Sequence, residues 1–390
     1  MAVMGSGTDW MGRRIFDAEH DVFRESVRRF LEAEALPHQE EWESKGEPDR
    51  SFWEKAASHG FVGFEAPERY GGLAIEDFRF NAILSEEAMY VGVSSDSFQL
   101  QNDCVLSYLL HLGTNEQQER LLPGFTSGKL IGALGMTEPG TGSDLRAIQS
   151  RAEETEDGWI LSGAKTFITS GLQADFVIAV ARTGAQNDPN ALSLLLVENG
   201  MEGFARGRKL DKIGHRGQDT AELFFDNVFV PRRNLLGRLG GAMDHLRAEL
   251  PRERLAVAVG AVAASEAALR LTIEYVKDRR AFGKPVGSFQ ASRFSLAQLW
   301  SEVAAARFYL DAAIIAQVEG TLSETEAAGL KALTTELHWR VVDRCLQLHG
   351  GYGYMEEYEI ARRWRDARVL RIYGGTTEIM WEIVGRSIQR

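Results

Sequence analysis

Cysteine is almost missing from this chain: Cys104 and Cys345 are the two in 390 residues. Two thiols cannot form a disulfide framework, so burial and hydrogen bonding must hold the fold, and a reducing compartment is the simple reading. Positive charge is also scarce. Lys and Arg number 44 against 56 Asp and Glu, a formal net charge of -12, which argues against nucleic-acid binding through a basic face. Long apolar runs are lacking too. The most apolar stretch, Leu255 to Ala264, is soon followed by Glu266 and falls short of the roughly 18 residues of a membrane span. Arg13 and Arg14 near the start have no apolar segment beside them, so no signal peptide is expected and the residues before Asp17 read as a flexible start. The placement expected from this is cytoplasmic, or the mitochondrial matrix in a eukaryote. His38, His59 and His111 lack partners at metal-ligand spacing, read as surface or packing residues, and no metal is expected.

What is present changes character twice along the chain. From Asp17 to about Leu130 the pattern is helical, with Phe23, Val27, Phe30 and Leu31 on one stripe. The cluster 66–72 is a turn, and Thr114 or Asn115 caps a helix over 116–122. From Ile131 short β-rich segments follow, Trp159 to Leu161, Phe176 to Val180, Leu192 to Val197 and Glu222 to Phe225. Asp157-Gly158, Asn187-Asp188-Pro189 and Asn199-Gly200 punctuate them. Strands without intervening helices predict an antiparallel sandwich or barrel. After a glycine-rich linker at 237–241, helix returns from Ala242 onward, with long segments over 255–277, 291–319, 324–348, 360–372 and 377–388, the pattern of a four-helix-type bundle. The expected organisation is α+β and multidomain: helical 13–130, antiparallel β 131–238, and a helical bundle 239–390.

Five stretches carry candidate chemistry. Thr137-Glu138-Pro139-Gly140-Thr141-Gly142-Ser143-Asp144 offers hydroxyls and close-approach N–H groups, suited to a ring edge or a pyrophosphate, although it is no Walker loop and no GxGxxG. In Lys165-Thr166-Phe167-Ile168-Thr169-Ser170-Gly171, alternation puts Phe167 and Thr169 on one side of a strand, an aromatic wall beside a hydroxyl. Asp278-Arg279-Arg280-Ala281-Phe282-Gly283-Lys284-Pro285 ends a helix with arginines that suit either its dipole or a diphosphate. Gln347-Leu348-His349-Gly350-Gly351-Tyr352-Gly353 holds more glycine than a helix C-cap requires. Tyr373-Gly374-Gly375-Thr376-Thr377-Glu378 lets a backbone approach a ligand closely just before a helix.

In their order and spacing these five motifs resemble those of the acyl-CoA dehydrogenase family, and the resemblance runs from about Arg13 to the C-terminus. It implies an N-terminal helical domain, a middle β domain and a C-terminal four-helix bundle. It also implies bound FAD, an acyl-CoA substrate, electron-transfer flavoprotein as partner, and a homotetramer without a membrane span or nucleic acid. The same resemblance assigns Leu134, Met136, Thr137, Gly142 and Ser143 to FAD, with Ser143 also near substrate. Phe167 and Thr169 would flank the isoalloxazine; the family usually carries tryptophan at 167. Arg279, Gln290, Gln347, Leu348, Gly350 and Gly351 match positions that hold the diphosphate and adenosine of a neighbouring subunit's FAD, and Phe282 is assigned to FAD as well. Thr376 and Glu378 match FAD positions as well. Tyr373, Gly374, Gly375 and Arg254 are expected at the substrate, with the Gly374 N–H on the thioester carbonyl.

One expected residue is missing. In most of the family a glutamate follows the tyrosine of the last motif and takes the α-proton; here that position is Gly374. The long-chain and isovaleryl branches place the base before an arginine on an earlier helix, and Glu253-Arg254, after Glu249-Leu250-Pro251, matches that pattern. Glu253 is therefore the expected base, and glycine at 374 would avoid two carboxylates competing for one proton and a side chain crowding the site. A closed acyl pocket would raise the Glu253 pKa toward that of the substrate α-carbon. The bland alternative for Glu253 is a solvated helix residue paired with Arg252 or Arg254. Gln101, Asn102, Cys104, Val105 and Leu106 match the pocket floor. A medium or long acyl chain is favoured, with isovaleryl-type substrates, an oxidase and a silent flavoprotein as alternatives.

Overall fold

The structure is a computed structural model that describes residues 13–94, 96–185, 188 and 191–389. The expected flexible start lies outside the described residues up to residue 12, as do Asn187 and Pro189 of the expected turn. In chain order the helices α1 (Ala18–Glu34), α2 (Gln39–Lys45), α3 (Arg50–Ser58), α4 (Phe78–Val91), α5 (Asp96–Gln99), α6 (Leu106–Leu112) and α7 (Asn115–Thr126) come first. Strands β1 (Gly132–Gly135), β2 (Arg151–Glu154), β3 (Gly158–Thr169), β4 (Phe176–Arg182), β5 (Leu192–Glu198), β6 (Phe204–Lys209), β7 (Thr220–Pro231) and β8 (Leu235–Leu236) follow. Helix α8 (Ala242–Asp278), the hairpin β9 (Arg280–Ala281) and β10 (Lys284–Pro285), α9 (Gln290–Val318), α10 (Glu324–His349), α11 (Glu359–Ala367) and α12 (Thr377–Ile388) complete the chain. The described residues fall into two compact units, one of 37–76 and 96–253, the other of 13–36, 77–94 and 254–389.

The unit of 37–76 and 96–253 is built on an eight-stranded sheet in the order β6-β7-β3-β2-β4-β5-β8, with β1 beside β4. Most pairs are antiparallel, as the turn-punctuated sequence predicts, but β1 runs parallel to β4 with Gly132 opposite Phe176. Phe176 to Ala181 on β4 and Leu192 to Val197 on β5 are buried residue after residue, the pattern of strands covered on both faces. On the helical side a π-turn, Leu100–Val105, leads directly into α6. Gln101 is spent on β1, donating to the Gly132 carbonyl and accepting the Gly132 N–H, both at 3.0 Å. Asn102 likewise accepts from the Gly63 N–H at 2.9 Å and donates to the Phe61 carbonyl at 2.9 Å. Both amides therefore secure backbone, while Cys104 and Tyr108 are left to face elsewhere. Thr114 caps α7 in a reciprocal pair with Gln117.

The other unit packs α8, α9 and α10 around Leu255, Val259, Val262, Leu299, Val303, Leu310, Leu337 and Val341. Ser323 and Glu326 form a capping box that starts α10, and Thr376 caps α12 by accepting from the Ile379 N–H. The buried Glu86 is paired with three guanidiniums, Arg13 at 2.7 Å, Arg24 at 3.0 Å and Arg307 at 2.6 Å. Burial works against its charge, but the three guanidiniums win and hold the carboxyl far below its ordinary range.

Helix α8 begins at Ala242, where helix was expected to return, and joins the apolar stretch from Leu255 in one unbroken run through Pro251. An interior proline costs about 3 kcal/mol and leaves a carbonyl one turn back without its N–H. Side-chain bonds of Glu249, Arg252 and Glu253 to residues outside α8, described below, offset part of that cost. This helix is also long and apolar enough by composition to cross a membrane, with 83% of its most apolar window buried within the folded chain. That burial is the surrounding of a core helix.

Candidate active site

The first glycine-rich motif is cinched onto β3 from beneath. Glu138 and Thr141 exchange backbone hydrogen bonds of 2.9 and 3.1 Å, closing a tight turn. The buried Glu138 carboxylate accepts from the Gln149 N–H at 2.6 Å, the Ser150 N–H at 2.9 Å and Lys165 Nζ at 2.8 Å. Lys165 Nζ also donates to the Met136 carbonyl at 3.1 Å, and the Thr166 N–H donates to the Thr137 carbonyl at 2.9 Å. Leu134, Met136 and Thr137 are half-buried beside this anchor, and Gly142 and Ser143 are exposed. A side chain at Gly140 would meet nothing within 4 Å, so the crest of the loop is open.

Phe167 and Thr169 lie on the outward side of β3, separated by the buried Ile168. The register with β7 shifts between Lys165 and Ile168, and Phe167 has a φ of 60° and is 67% exposed. A left-handed aromatic residue on a bulge is costly, and such strain collects at functional sites. The ring is presented as a surface rather than packed as core.

Glu253 is not a solvated residue. It is 8% exposed, and Tyr108 Oη donates to its Oε1 at 3.1 Å in a buried contact. The Cys104 thiol hydrogen-bonds the same carboxylate; burial first and the Glu253 charge second push that thiol well above its ordinary pKa, so it stays protonated. The Tyr108 phenol is pushed up for the same two reasons and remains a donor. The π-turn followed by α6 sets Cys104 and Tyr108 one turn apart toward one carboxylate, a use to which π-bulges are commonly put. One turn earlier on α8, Glu249 accepts from Ser107 Oγ at 2.5 Å and pairs with His111 at 2.8 Å. Arg252 donates to Glu65 at 2.9 Å, with a second, shorter bond to the same carboxylate, and reaches Asp103 at 3.4 Å. These partners hold the segment around Pro251 helical. Tyr108, Glu65 and Asp103 were missed in the sequence because none belongs to a local motif.

In the unit of 13–36, 77–94 and 254–389, Tyr275, Arg279, Val286, Met355 and the turn 347–352 line a cleft of about 450 Å³. It brings Arg279 together with Gln347, Leu348, Gly350 and Gly351, and neither glycine would meet a neighbour within 4 Å if given a side chain. Its floor is braced by the His349 ring stacked on Tyr275, centroids 4.2 Å apart. Phe282 and Gln290 lie outside this lining. Phe282 and Gly283, with φ of 50° and 78°, form the two-residue tip of the β9–β10 hairpin, and Phe282 is 95% exposed.

Gly374 and Gly375 have φ of 63° and 93°, which explains the glycine pair directly. Lys331, wholly buried on α10, donates to the Tyr373 carbonyl at 2.7 Å and also to the Gly375 carbonyl. A Cβ at 374 would meet Lys331 and Val257 only at 3.8 and 3.9 Å. Within this unit, backbone conformation and not crowding is what favours glycine there. Arg254 lies 3.5 Å from Glu324, Thr376 and Tyr373 are half-buried, and Glu378 is exposed in the first turn of α12.

Three family models cover nearly all of these elements: the acyl-CoA dehydrogenase N-terminal domain over residues 17–129, the middle domain over 133–228 and the C-terminal domain over 243–389. The chain belongs to the acyl-CoA dehydrogenase family. It is an FAD-dependent oxidoreductase with this family's fold. The long-chain specific acyl-CoA dehydrogenase of Sus scrofa mitochondria is 46% identical over 98% of this chain and 89% of its own length. Isovaleryl-CoA dehydrogenase of Solanum tuberosum is 34% identical over 96% and 91%. Among solved structures, an acyl-CoA dehydrogenase from Geobacillus kaustophilus superposes with a TM-score of 0.94 at 45% identity, covering 97% of this chain and 100% of its own.

The dehydrogenase's own residues fit FAD, unit by unit. One offers an exposed aromatic face at Phe167 with a hydroxyl at Thr169 and an open glycine crest, which suit a flat heterocycle. The other offers Arg279 over a cleft edged by glycines, which suits a diphosphate.

Proposed function

We propose that this dehydrogenase oxidises the Cα–Cβ bond of a medium- or long-chain acyl-CoA to the trans-2-enoyl-CoA, with Glu253 as the base. The observation that carries the reading is a buried carboxylate on α8 held by the Tyr108 hydroxyl and the Cys104 thiol, in a chain with glycine at 374. The 46% identity to the long-chain specific enzyme of Sus scrofa supports the chain length. FAD, when bound, supplies the acceptor for the hydride that leaves the β-carbon. Glu253 takes the α-proton, and the electron pair of that C–H bond becomes the new double bond. The Gly374 N–H receives the thioester oxygen, where negative charge grows as the proton leaves; an amide donor of this kind is worth about 3 kcal/mol of barrier.

In the same reading Ser143, Arg254, Tyr373 and Gly375 contact substrate. Leu134, Met136, Thr137, Gly142, Ser143, Phe167 and Thr169 hold one portion of FAD, with Thr376 and Glu378. Arg279, Gln290, Gln347, Leu348, Gly350 and Gly351 hold the diphosphate and adenosine portion of a neighbouring subunit's cofactor, and Phe282 contacts FAD. Sequence domains 13–130, 131–238 and 239–390, a homotetramer and electron-transfer flavoprotein as acceptor belong to the same proposal. Exposed Phe294, Phe308 and Trp381 support assembly through the helical face.

The test is Glu253→Gln, with FAD content and melting as controls. Turnover with a dye acceptor should fall about 10² to 10⁴-fold; full activity would refute the base. Octanoyl-, palmitoyl- and isovaleryl-CoA as substrates decide the acyl class, and peroxide formed without an added acceptor would mark an oxidase.

A further inference from the structure

A fully buried lysine needs a reason. Lys331 lies on the face of α10 that also carries the buried Ala327, Ala328, Thr334 and Thr335, and burial of an ammonium is expensive unless its donors are used. Its donors go to the backbone of the substrate-side loop: 2.7 Å to the Tyr373 carbonyl, and a further bond to the Gly375 carbonyl. In a trans peptide the C=O and the N–H point in opposite directions. Drawing the Tyr373 carbonyl inward therefore turns the Gly374 N–H of the same peptide outward. Among the described residues that N–H donates to no backbone or side-chain acceptor.

Peptide resonance adds an electronic link. A cation on the carbonyl oxygen draws electron density from the nitrogen and leaves the N–H more positive, so hydrogen bonds in series strengthen one another. We propose that Lys331 is a positioning residue for the thioester, a buried ammonium that aims the Gly374 N–H at the substrate carbonyl and polarises it. This rests on the reading that the Gly374 N–H receives the thioester oxygen. The lysine is not held there for its own comfort: burial first, and the Arg254 charge second, push it down to about 7.

The experiment uses holoenzyme with bound trans-2-enoyl-CoA, labelled with ¹³C at the thioester carbonyl, and reads the carbonyl stretch by isotope-edited infrared spectroscopy. This product has no β-hydride left to give, so the readout does not depend on turnover. In the wild-type enzyme the stretch should fall relative to free ligand. In Lys331→Met most of that fall should be lost, with kcat down about tenfold or more and KM nearly unchanged, while Lys331→Arg restores much of both. An absent wild-type shift sinks the Gly374 reading. A normal wild-type shift that survives in Lys331→Met sinks the Lys331 inference alone. If the methionine variant does not fold, the Glu253→Gln enzyme, which lacks the other group proposed to titrate at the substrate, is compared at pH 5.5 and pH 9. Arg254 keeps its charge throughout, so the shift should weaken at pH 9, and an unchanged shift overturns the proposal.

Discussion

Lys165→Met should destabilise the sheet-bearing unit by about 3 kcal/mol. The lysine side chain is fully buried and its partner Glu138 is 6% exposed, at 2.8 Å. Breaking a buried pair by removing one member costs about 3–5 kcal/mol, because a charge stays behind. Two features place this case at the low end. Glu138 keeps the N–H groups of Gln149 and Ser150. Lys165 also carries a cost of its own, since burial outweighs the help from Glu138 and pushes the amine down to about 8. Removing it relieves that cost while the Met136 carbonyl loses its donor.

For a unit of roughly 200 residues, 3 kcal/mol corresponds to a fall of about 6–12 °C in Tm. Calorimetry at fixed protein and FAD concentration measures it. The companion Glu138→Gln and the double variant complete a cycle, in which the double variant should melt above the Lys165→Met single. A single variant within about 2 °C of wild type, or additive singles, would refute the argument.

Other outcomes follow from neighbouring contacts. Tyr108→Phe removes the hydroxyl at 3.1 Å from Glu253 without changing shape, so kcat should fall about tenfold with KM and FAD content little changed; unaltered kcat would show that the phenol does not place the base. Asp219 is buried, and burial chiefly raises its carboxyl to about 6 although it accepts the Leu172 N–H. Its folded pKa lies above the unfolded one, so the folded state binds the extra proton and loses stability as pH rises from about 4 to 6. Asp219→Asn keeps an acceptor for Leu172, and should stabilise by on the order of 2 kcal/mol at pH 7.5 but little at pH 4, measured by denaturant unfolding. Equal shifts at both pH values would contradict that assignment.

The helices and strands were legible where periodicity and turn residues agree, as in α12 and the β4–β5 pair. The continuity of α8 through Pro251 was not, because the bonds that brace it there come from distant Glu65, Asp103, Ser107 and His111. Motifs with unusual local composition showed themselves: Gly374-Gly375 are indeed in left-handed conformations. Phe167 could be placed on an outward face by alternation, but its bulge and positive φ had no local signature. Tyr108 and Lys331 were invisible for a different reason. Each looks like an ordinary member of a helix, and only folding shows that one meets Glu253 and the other the loop carbonyls.

The open space at Gly374 bears on ancestry. A Cβ there would sit at ordinary contact distance from Lys331 and Val257, and the backbone cost of a side-chain-bearing residue in this left-handed conformation is about 1–2 kcal/mol. A backbone cost so small would let the location of the carboxylate change in either direction. A lineage could acquire the α8 glutamate first, carry both for a time, and then let the loop glutamate drift to glycine with a gain in backbone comfort. Subfamilies sorted by this residue alone would then group histories rather than substrates, and the length of the acyl chain has to be sought in the walls of its pocket.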